Sequence, residues 1–160
     1  MTTRMLKDRL CLFVATGFGL GLVAPFAPGT FGSLPGVALA ALLAAVPPGV
    51  QTVAALLLAA AAVPVCTRAE QLLGLRDDGR ITADEWMLYP IGVLGLPLLD
   101  LPWWAWILFF AVIRAVDILK PPPAYYLQRL KGGWGVVADD FVANLYALAI
   151  NTAIYQAVFP

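Results

Sequence analysis

Two pairs of adjacent carboxylates stand out in a chain of 160 residues that is poor in charge. Asp84 and Glu85 lie in the segment DDGRITADEW, and Asp139 and Asp140 close the segment GGWGVVADD. The chain contains no histidine, which removes the commonest metal ligand and the usual acid–base group at neutral pH. Carboxylate oxygens are the ligands that Mg²⁺ prefers. The two pairs therefore predict an oxygen-donor metal site, although acids at a helix start would explain each pair alone.

A third acid lies between these pairs, flanked by two bases. In RAVDILKPPP, Arg114, Asp117 and Lys120 follow one another at intervals of three, which places Arg114 and Asp117 on one helix face. The prolines after Lys120 then end the helix. Cations beside carboxylates suit the binding of a phosphate. The alternative is a positive helix end at a membrane surface, with an ordinary i, i+3 ion pair.

The segment PGTFGS is composed of residues that could bind an anion. Its glycines, Gly29 and Gly32, let backbone N–H groups turn towards a phosphate, and Thr30 and Ser33 add hydroxyl groups. The glycines of GGWG, Gly133 among them, permit close backbone approach. A helix N-cap at Thr30 or Ser33 is the more ordinary role of PGTFGS on its own. Taken jointly, the four segments predict metal-assisted phosphoryl chemistry at a membrane surface.

The composition indicates that lipid surrounds much of the chain. Hydrophobic residues make up 61% of it and charged residues 12%, against about 25% charged residues in a typical soluble domain. One small domain cannot bury so much apolar surface. The net charge is zero, so no attraction to nucleic acid is expected. Cys11 and Cys66 are interpreted as small apolar residues and not as a disulfide.

The apolar stretches predict helices that bring these segments together. A first hairpin is expected from helices over 32–45 and 50–66, separated by VPPGV. A second hairpin is expected within 86–113, with its turn at LLDLPWW. The stretch 10–28 reads as a broken or interfacial helix, and 141–159 as a transmembrane helix. The predicted fold is thus an all-α, small integral-membrane helical bundle, formed as a single domain by residues 1–160.

Hairpins return the chain to the side from which it left. The charged segments are therefore expected on one side of the membrane, and their Arg and Lys content makes that side the cytoplasm. Asp100 and the tryptophans Trp103, Trp104 and Trp106 are expected at the opposite interface. The hairpin legs are shorter than the roughly 20 residues that span a bilayer comfortably, so the number of full crossings stays open.

The ordered set of motifs resembles the phosphatidylglycerophosphatase A family, bacterial enzymes that dephosphorylate phosphatidylglycerophosphate. The matching segments are GFGLGLVAPFAPGTFGSLPG, DDGRITADEW, IRAVDILKPPP and GGWGVVADDFVAN, from about Thr16 to Asn144. The resemblance implies an all-helical fold, Mg²⁺ dependence and a lipid phosphate monoester as substrate. It also implies functional roles for residues of all four segments: Thr30, Ser33, Asp84, Glu85, Arg114, Asp117, Lys120, Asp139 and Asp140.

On this basis each residue receives an expected role in a multi-pass protein of the bacterial inner membrane, with its site on the cytoplasmic side. The expected ligands of Mg²⁺ are Asp84, Glu85, Asp139 and Asp140, and Asp117 is expected to join them or to orient Lys120. These six residues form the expected catalytic set. The expected phosphate-binding residues are Thr30, Gly32, Ser33, Arg114, Lys120 and Gly133.

Other functions and an assembly state stay open at this point. A small membrane transport or scaffold subunit without enzymatic activity is one alternative, although it would place polar groups in mid-helix. A transferase that joins a CDP-activated lipid to an alcohol is a weaker alternative, because its motif spacing fails downstream of Asp78 and Gly79. The expected partners are the lipid substrate and the membrane, and a homo-oligomer is left open.

Overall fold

The computed structural model describes residues 3–76 and 78–159, and within these ranges it contains helices and no strands. The all-α prediction is therefore confirmed for the described residues; Asp77 of the segment DDGRITADEW lies outside them. The α-helices are α1 (Thr3–Ala15), α2 (Leu20–Val23), α3 (Pro28–Gly32), α4 (Leu34–Leu43), α5 (Pro48–Leu73), α6 (Ala83–Leu88), α7 (Trp103–Leu119), α8 (Ala124–Leu127) and α9 (Gly133–Val158). Two short 3₁₀-helices, Tyr89–Val93 and Leu98–Asp100, connect α6 to α7.

Helices α5 and α9 are the two described helices that are long and apolar enough to cross a membrane. Each has 26 residues, a length of about 39 Å against a hydrocarbon core of about 30 Å. Only 33% of the most apolar window of α5, and 22% of that of α9, is buried inside the protein. A core helix of a soluble protein would be mostly buried, so the outward faces of α5 and α9 favour contact with lipid.

The first predicted hairpin exists with different bounds. Helix α4 has only 10 residues, and α5 runs from Pro48 to Leu73, beyond the expected end at residue 66. Pro48 occupies the first turn of α5, where its missing N–H costs nothing. Gly74 ends the helix with a φ of 74° in the left-handed region. The longer α5 carries Arg68 and Glu70 to the same end of the protein as the predicted site.

The prediction of a second apolar hairpin within 86–113 is wrong in its first leg. After the six residues of α6 the chain continues as the 3₁₀-helix Tyr89–Val93. Pro90 has no N–H to donate to the carbonyl of Trp86, so the α-helical hydrogen bond cannot form there. Tyr89, Ile91 and Val93 are all buried, and this segment packs against α9. The apolar residues 86–98 are therefore core residues that contact protein.

Two further boundaries follow from local contacts. The stretch 10–28 is broken, as predicted, because α1 ends at Ala15 and the next turns carry positive φ values at Gly17 and Gly19. Helix α9 begins at Gly133, eight residues before the predicted start at 141. The N–H of Gly133 donates to Thr67 Oγ1 over 2.9 Å, which anchors the first turn of α9 on α5.

The long helices give the bundle two chemically different ends. The C-terminal ends of α5 and α7 meet the N-terminal part of α9, and we call this the site end. At the far end the ring of Trp104 stacks on that of Phe159, with centroids 5.1 Å apart. The backbone N–H of Gly95 donates there to Gln51 Oε1 over 3.1 Å. Most charged groups thus gather at the site end, whereas Trp103, Trp104 and Trp106 lie in the first turn of α7 towards the far end.

Candidate active site

The predicted acids and bases come together at the site end. Helix α6 supplies Asp84 and Glu85, the last two turns of α7 supply Arg114 and Asp117, and Lys120 follows directly after α7. The sequence suggested that Asp139 and Asp140 begin the last helix. They lie instead about two turns inside α9. Both side chains are buried, so they are not solvated acids that merely suit a helix N-terminus.

Arg114 links two of the acidic segments. Its Nη2 atom lies 3.2 Å from Glu85 Oε1, and its Nη1 atom lies 2.7 Å from Asp117 Oδ2. Ser33 Oγ lies 3.4 Å from Glu85 Oε2 and 2.7 Å from the carbonyl of Gly29, to which it donates. Ser33 makes no side-chain cap to α4. Its hydroxyl therefore belongs to the site, and the simple N-cap explanation fails for this residue.

Lys120 contacts the second acidic pair, Asp139 and Asp140. Its ammonium group forms an ion pair with Asp139 and lies 3.9 Å from Asp140 Oδ1. Burial alone would lower the pKa of Lys120, but the nearby carboxylates, Asp140 foremost, outweigh burial and raise it. The side chain of Asp140 also lies near that of Asp117. The acids of α6, α7 and α9 thus form one connected cluster.

Asp84 lies at the centre of the negative charge. Burial raises the pKa of Asp84 well above its ordinary value, and the charges of Glu85, Asp117 and Asp139 raise it further. Burial also raises the pKa of Glu85 to about 7, against the lowering effect of Arg114. The cluster contains five carboxylates and only two bases, Arg114 and Lys120. Such an excess of buried negative charge is stable only if protons or a further cation neutralise it.

The donor set fits a hard divalent cation in kind. Three buried carboxylate oxygens have no hydrogen-bond partner: Asp84 Oδ1, Asp117 Oδ1 and Asp139 Oδ1. They come from α6, α7 and α9, and oxygen ligands of this type are those that Mg²⁺ prefers. Within residues 3–76 and 78–159, however, no three acidic, cysteine or histidine side chains are close enough together to hold a metal ion as they stand. Glu85 and Asp139 are instead held by ion pairs with Arg114 and Lys120.

The expected phosphate-binding residues fall into two groups by location. Ser33, Arg114 and Lys120 point into the acidic cluster, as described. Gly32 packs directly on the side chain of Thr82, and the N–H of Gly133 is engaged by Thr67. The structure thus gives these two glycines a packing role, and their contact with phosphate stays a prediction. The structure records no polar side-chain contact for Thr30, whose role likewise stays a prediction.

Two residues near the cluster make contacts that the sequence did not predict. The side chain of Gln128 lies near Asp139. Gln128 lies between α8 and α9 without any motif spacing that would have marked it. Gly29 stands against the Glu85–Arg114 ion pair: a Cβ added there would overlap Glu85 Oε1 and lie 2.8 Å from Arg114 Nη2. PGTFGS was recognised, but its backbone glycine was expected to face an anion.

Replacing Gly29 by Ala is expected to lower activity with little loss of stability. The new methyl group must displace the Glu85 carboxylate, which is the flexible end of a side chain. A displacement of about 1 Å in such a site can reduce turnover about 100-fold. Gly49→Ala is the matched control, because a Cβ there meets nothing within 4 Å. Equal activity of the two variants, measured at equal unfolding temperature, would contradict the placement of Glu85 in the site.

Comparisons with known proteins agree with the motif pattern. The family described as phosphatidylglycerophosphatase A matches residues 13–155. A phosphatidylglycerophosphatase A of Haemophilus influenzae is 38% identical over 88% of this chain and 86% of its own length. That of Escherichia coli is 32% identical over 86% of this chain and 78% of its own length.

A third relative carries a different name. This Bacteroides thetaiotaomicron protein, provisionally named a phosphatidylinositol-3-phosphatase, is 35% identical over 88% of this chain and 91% of its own length. No solved structure matches the chain. The resemblance inferred from the four sequence segments is therefore confirmed at the level of the family.

Proposed function

The chain belongs to the phosphatidylglycerophosphatase A family, and from this premise we propose that it hydrolyses the terminal phosphate monoester of phosphatidylglycerophosphate. The products are phosphatidylglycerol and inorganic phosphate. The observation that carries the proposal is the meeting of the acids of α6, α7 and α9 with Arg114 and Lys120 at one end of the protein. A site of this kind combines cations for phosphate oxygens with carboxylates for a metal ion.

The proposed setting is the inner membrane of a bacterium, with the site end at the cytoplasmic face. All ten Lys and Arg residues fall within 4–9, 68–80 and 114–131. The ion pair between Arg68 and Asp8 joins the first of these segments to the site end. The far-end loops 44–49 and 94–102 contain no Lys or Arg. This asymmetry supports the cytoplasmic assignment by the positive-inside rule, and the lengths of α5 and α9 support spanning.

The chain's own residues position and neutralise the phosphate. Phosphoryl transfer leaves little covalent work for a protein beyond these two tasks. Arg114 and Lys120 bind phosphate oxygens, and Asp117 orients the guanidinium of Arg114. Asp84, Glu85, Asp139 and Asp140 would hold Mg²⁺. When bound, Mg²⁺ supplies neutralisation of phosphoryl charge and a lowered pKa of water. Because the site end lies at the level of the lipid headgroups, the substrate's phosphate reaches the site while its acyl chains stay in the membrane.

Removal of divalent cations is expected to abolish phosphate release. The assay uses purified protein in mixed micelles that contain phosphatidylglycerophosphate, with inorganic phosphate as the measured product. Activity should be lost in EDTA and restored by excess Mg²⁺, because the cluster then lacks the cation that neutralises it. Full activity in EDTA would contradict the metal assignment. Absence of phosphate release under all conditions would contradict the phosphatase and leave the transport or transferase alternatives.

A second lipid substrate has one specific observation in its favour. The relative from Bacteroides thetaiotaomicron is named for a phosphate monoester on an inositol lipid, and it covers most of this chain. Both substrates present a phosphate monoester at the headgroup of a diacyl lipid. Phosphatidylinositol 3-phosphate should therefore be offered to the protein beside phosphatidylglycerophosphate at equal surface concentration. We expect a higher kcat/KM for phosphatidylglycerophosphate, and the reverse order would reassign the substrate.

A further inference from the structure

A polar cavity opens beside the acidic cluster at the site end. Its volume of about 390 Å³ lies within the range of small-molecule pockets. Two arginines give it a positive wall, although an acid, Glu70, lines it as well. The cavity is formed by the end of α5, the segment after it, α8 and the first turn of α9. Its polar lining residues are Glu70, Arg76, Tyr125, Gln128 and Arg129.

Gln128 joins this cavity to the active site. Its side chain lies near Asp139, while its backbone carbonyl accepts a hydrogen bond from Arg76 Nη2 over 2.9 Å. The same Nη2 atom donates to the carbonyl of Leu130 over 2.8 Å. Arg76 therefore holds the loop in place. The guanidinium of Arg129 lies 5.9 Å from the ring centroid of Tyr126 at the exposed rim.

An apolar groove lies near the polar cavity and runs along the bundle. It has a volume of about 410 Å³ and runs between α5 and α9. The two cavities lie close together without sharing a lining residue: Leu127 of the groove precedes Gln128 of the polar cavity in the chain, and Val137 of the groove follows Val136. Helices α5 and α9 are those long enough to span a bilayer. The groove therefore opens where acyl chains would lie. Its other lining residues include Leu56, Ala60, Val63, Trp134 and Phe141.

We propose that one molecule of the lipid substrate occupies both cavities, with its phosphodiester against Arg129 and one acyl chain in the groove. This inference rests on the proposed function and extends it. The substrate carries two phosphates, a terminal monoester and an internal diester. In the proposed complex the terminal phosphate lies beside Arg114 and Lys120, and both of these bases are already paired with carboxylates. The internal diester is permanently negative and needs a separate cation. Arg129 is a cation in the wall of the polar cavity, and Gln128 of the same wall lies near Asp139.

The polar half is tested by Arg129→Gln, with Lys131→Gln as the matched control. Lys131 has the same charge on the same exposed loop but does not line the cavity. In mixed micelles, Arg129→Gln should raise the KM for phosphatidylglycerophosphate about tenfold, because a charge-assisted contact is lost. The kcat should stay within about twofold, because Arg129 does not contact the reacting phosphate. Equal KM values for the two variants would overturn this half of the proposal.

Inorganic phosphate, as an added inhibitor, distinguishes the lipid diester from a free phosphate in the same cavity. If Arg129 binds the diester, the inhibition constant of phosphate should be the same in wild type and Arg129→Gln. If that constant rises while the KM for the lipid is unchanged, the cavity holds released phosphate and the proposed seat for the diester is wrong.

The apolar half is tested by Ala60→Phe, with Ala61→Phe as the matched control. Ala60 lines the groove, whereas Ala61 is exposed on the same helix and does not line it. Adjacent helical positions point about 100° apart, so only the first Phe fills the groove. Ala60→Phe should lower kcat/KM for the lipid about tenfold, with unfolding temperatures of both variants near that of wild type. Equal kcat/KM in the two variants would overturn the acyl-chain seat.

The outcomes separate this inference from the function on which it rests. If wild type releases no phosphate from phosphatidylglycerophosphate in the presence of Mg²⁺, the proposed function fails, and the proposed lipid-binding site fails with it. If wild type is active and both variants match their controls, only the proposed binding of the lipid in the two cavities fails. If both variants differ from their controls as described, the lipid lies across the two cavities.

Discussion

Asp84→Asn is expected to reduce phosphate release by about 10³-fold, the scale of removing a main charge-stabilising group from an active site. Asp84 is buried at the centre of the acidic cluster, where Glu85, Asp117 and Asp139 surround it. An amide has the same shape but no charge and one oxygen fewer for a metal ion. Asp100→Asn is the matched control, because Asp100 is exposed at the far end. Activity near wild type in Asp84→Asn would contradict the site.

The same substitution should not destabilise the protein when EDTA is present. Burial and neighbouring negative charges already disfavour the ionised form of Asp84, which is why its pKa is raised. A neutral amide removes that repulsion. The unfolding temperature of Asp84→Asn in EDTA should therefore equal or exceed that of wild type. A loss of activity accompanied by a large fall in unfolding temperature would instead indicate a structural role.

Lys120→Gln is expected to lower both activity and stability. The carboxylate of Asp139 is 1% exposed and forms its ion pair with Lys120. Removal of one partner from a buried pair costs about 3–5 kcal/mol, since the other charge stays buried without compensation. Activity should also fall, because the substitution removes one of the two bases proposed to bind the phosphate. Denaturant unfolding and phosphate release on the same sample measure the two effects.

A second variant separates these effects of Lys120. Lys120→Gln combined with Asp139→Asn removes the buried charge that pairs most closely with Lys120, so part of the lost stability should return, while Asp140 still lacks its neighbouring cation. Activity should stay lost, since the double variant lacks both the base proposed to bind phosphate and a carboxylate proposed to hold the metal ion. Lys131→Gln, exposed on the neighbouring loop, should change neither property. Recovered activity in the double variant would contradict the assigned roles of both residues.

The sequence predicted the members of the acidic cluster because their residue types restrict the chemistry. In a chain without histidine, carboxylate pairs and nearby bases point to few functions other than a phosphate and a hard cation. In the structure Arg114 forms ion pairs with Glu85, at 3.2 Å, and with Asp117, at 2.7 Å, so these acids and this base do lie together. The segments were far apart in the chain, and apolar helices between them were sufficient to predict that they meet.

The sequence could not predict which apolar stretches contact lipid and which contact protein. Residues 86–98 are as apolar as a membrane helix, but they include the end of the short helix α6 and the 3₁₀-helix Tyr89–Val93, both of which pack on α9. Hydropathy is the same for a side chain buried in protein and one buried in lipid. Pro90 was the local signal, because it prevents the α-helical hydrogen bond at that point.

The sequence also could not predict contacts formed by residues that belong to no motif. Gln128 approaches Asp139 only because the loop after α8 is fixed by Arg76, 52 residues earlier in the chain. The early start of α9 depends on the hydroxyl of Thr67, which receives the N–H of Gly133. Neither contact has a local pattern, since each joins residues that only tertiary packing brings together.

Binding of Mn²⁺, a paramagnetic substitute for Mg²⁺, tests most directly whether acids from separate helices form one cation site. Electron paramagnetic resonance of the free ion, titrated with purified wild type, Asp84→Asn, Asp139→Asn and Asp100→Asn, measures binding without turnover. We predict that wild type and Asp100→Asn bind Mn²⁺ with equal affinity, and that Asp84→Asn and Asp139→Asn each bind it at least about tenfold more weakly. Equal affinity in all four proteins would contradict a shared site.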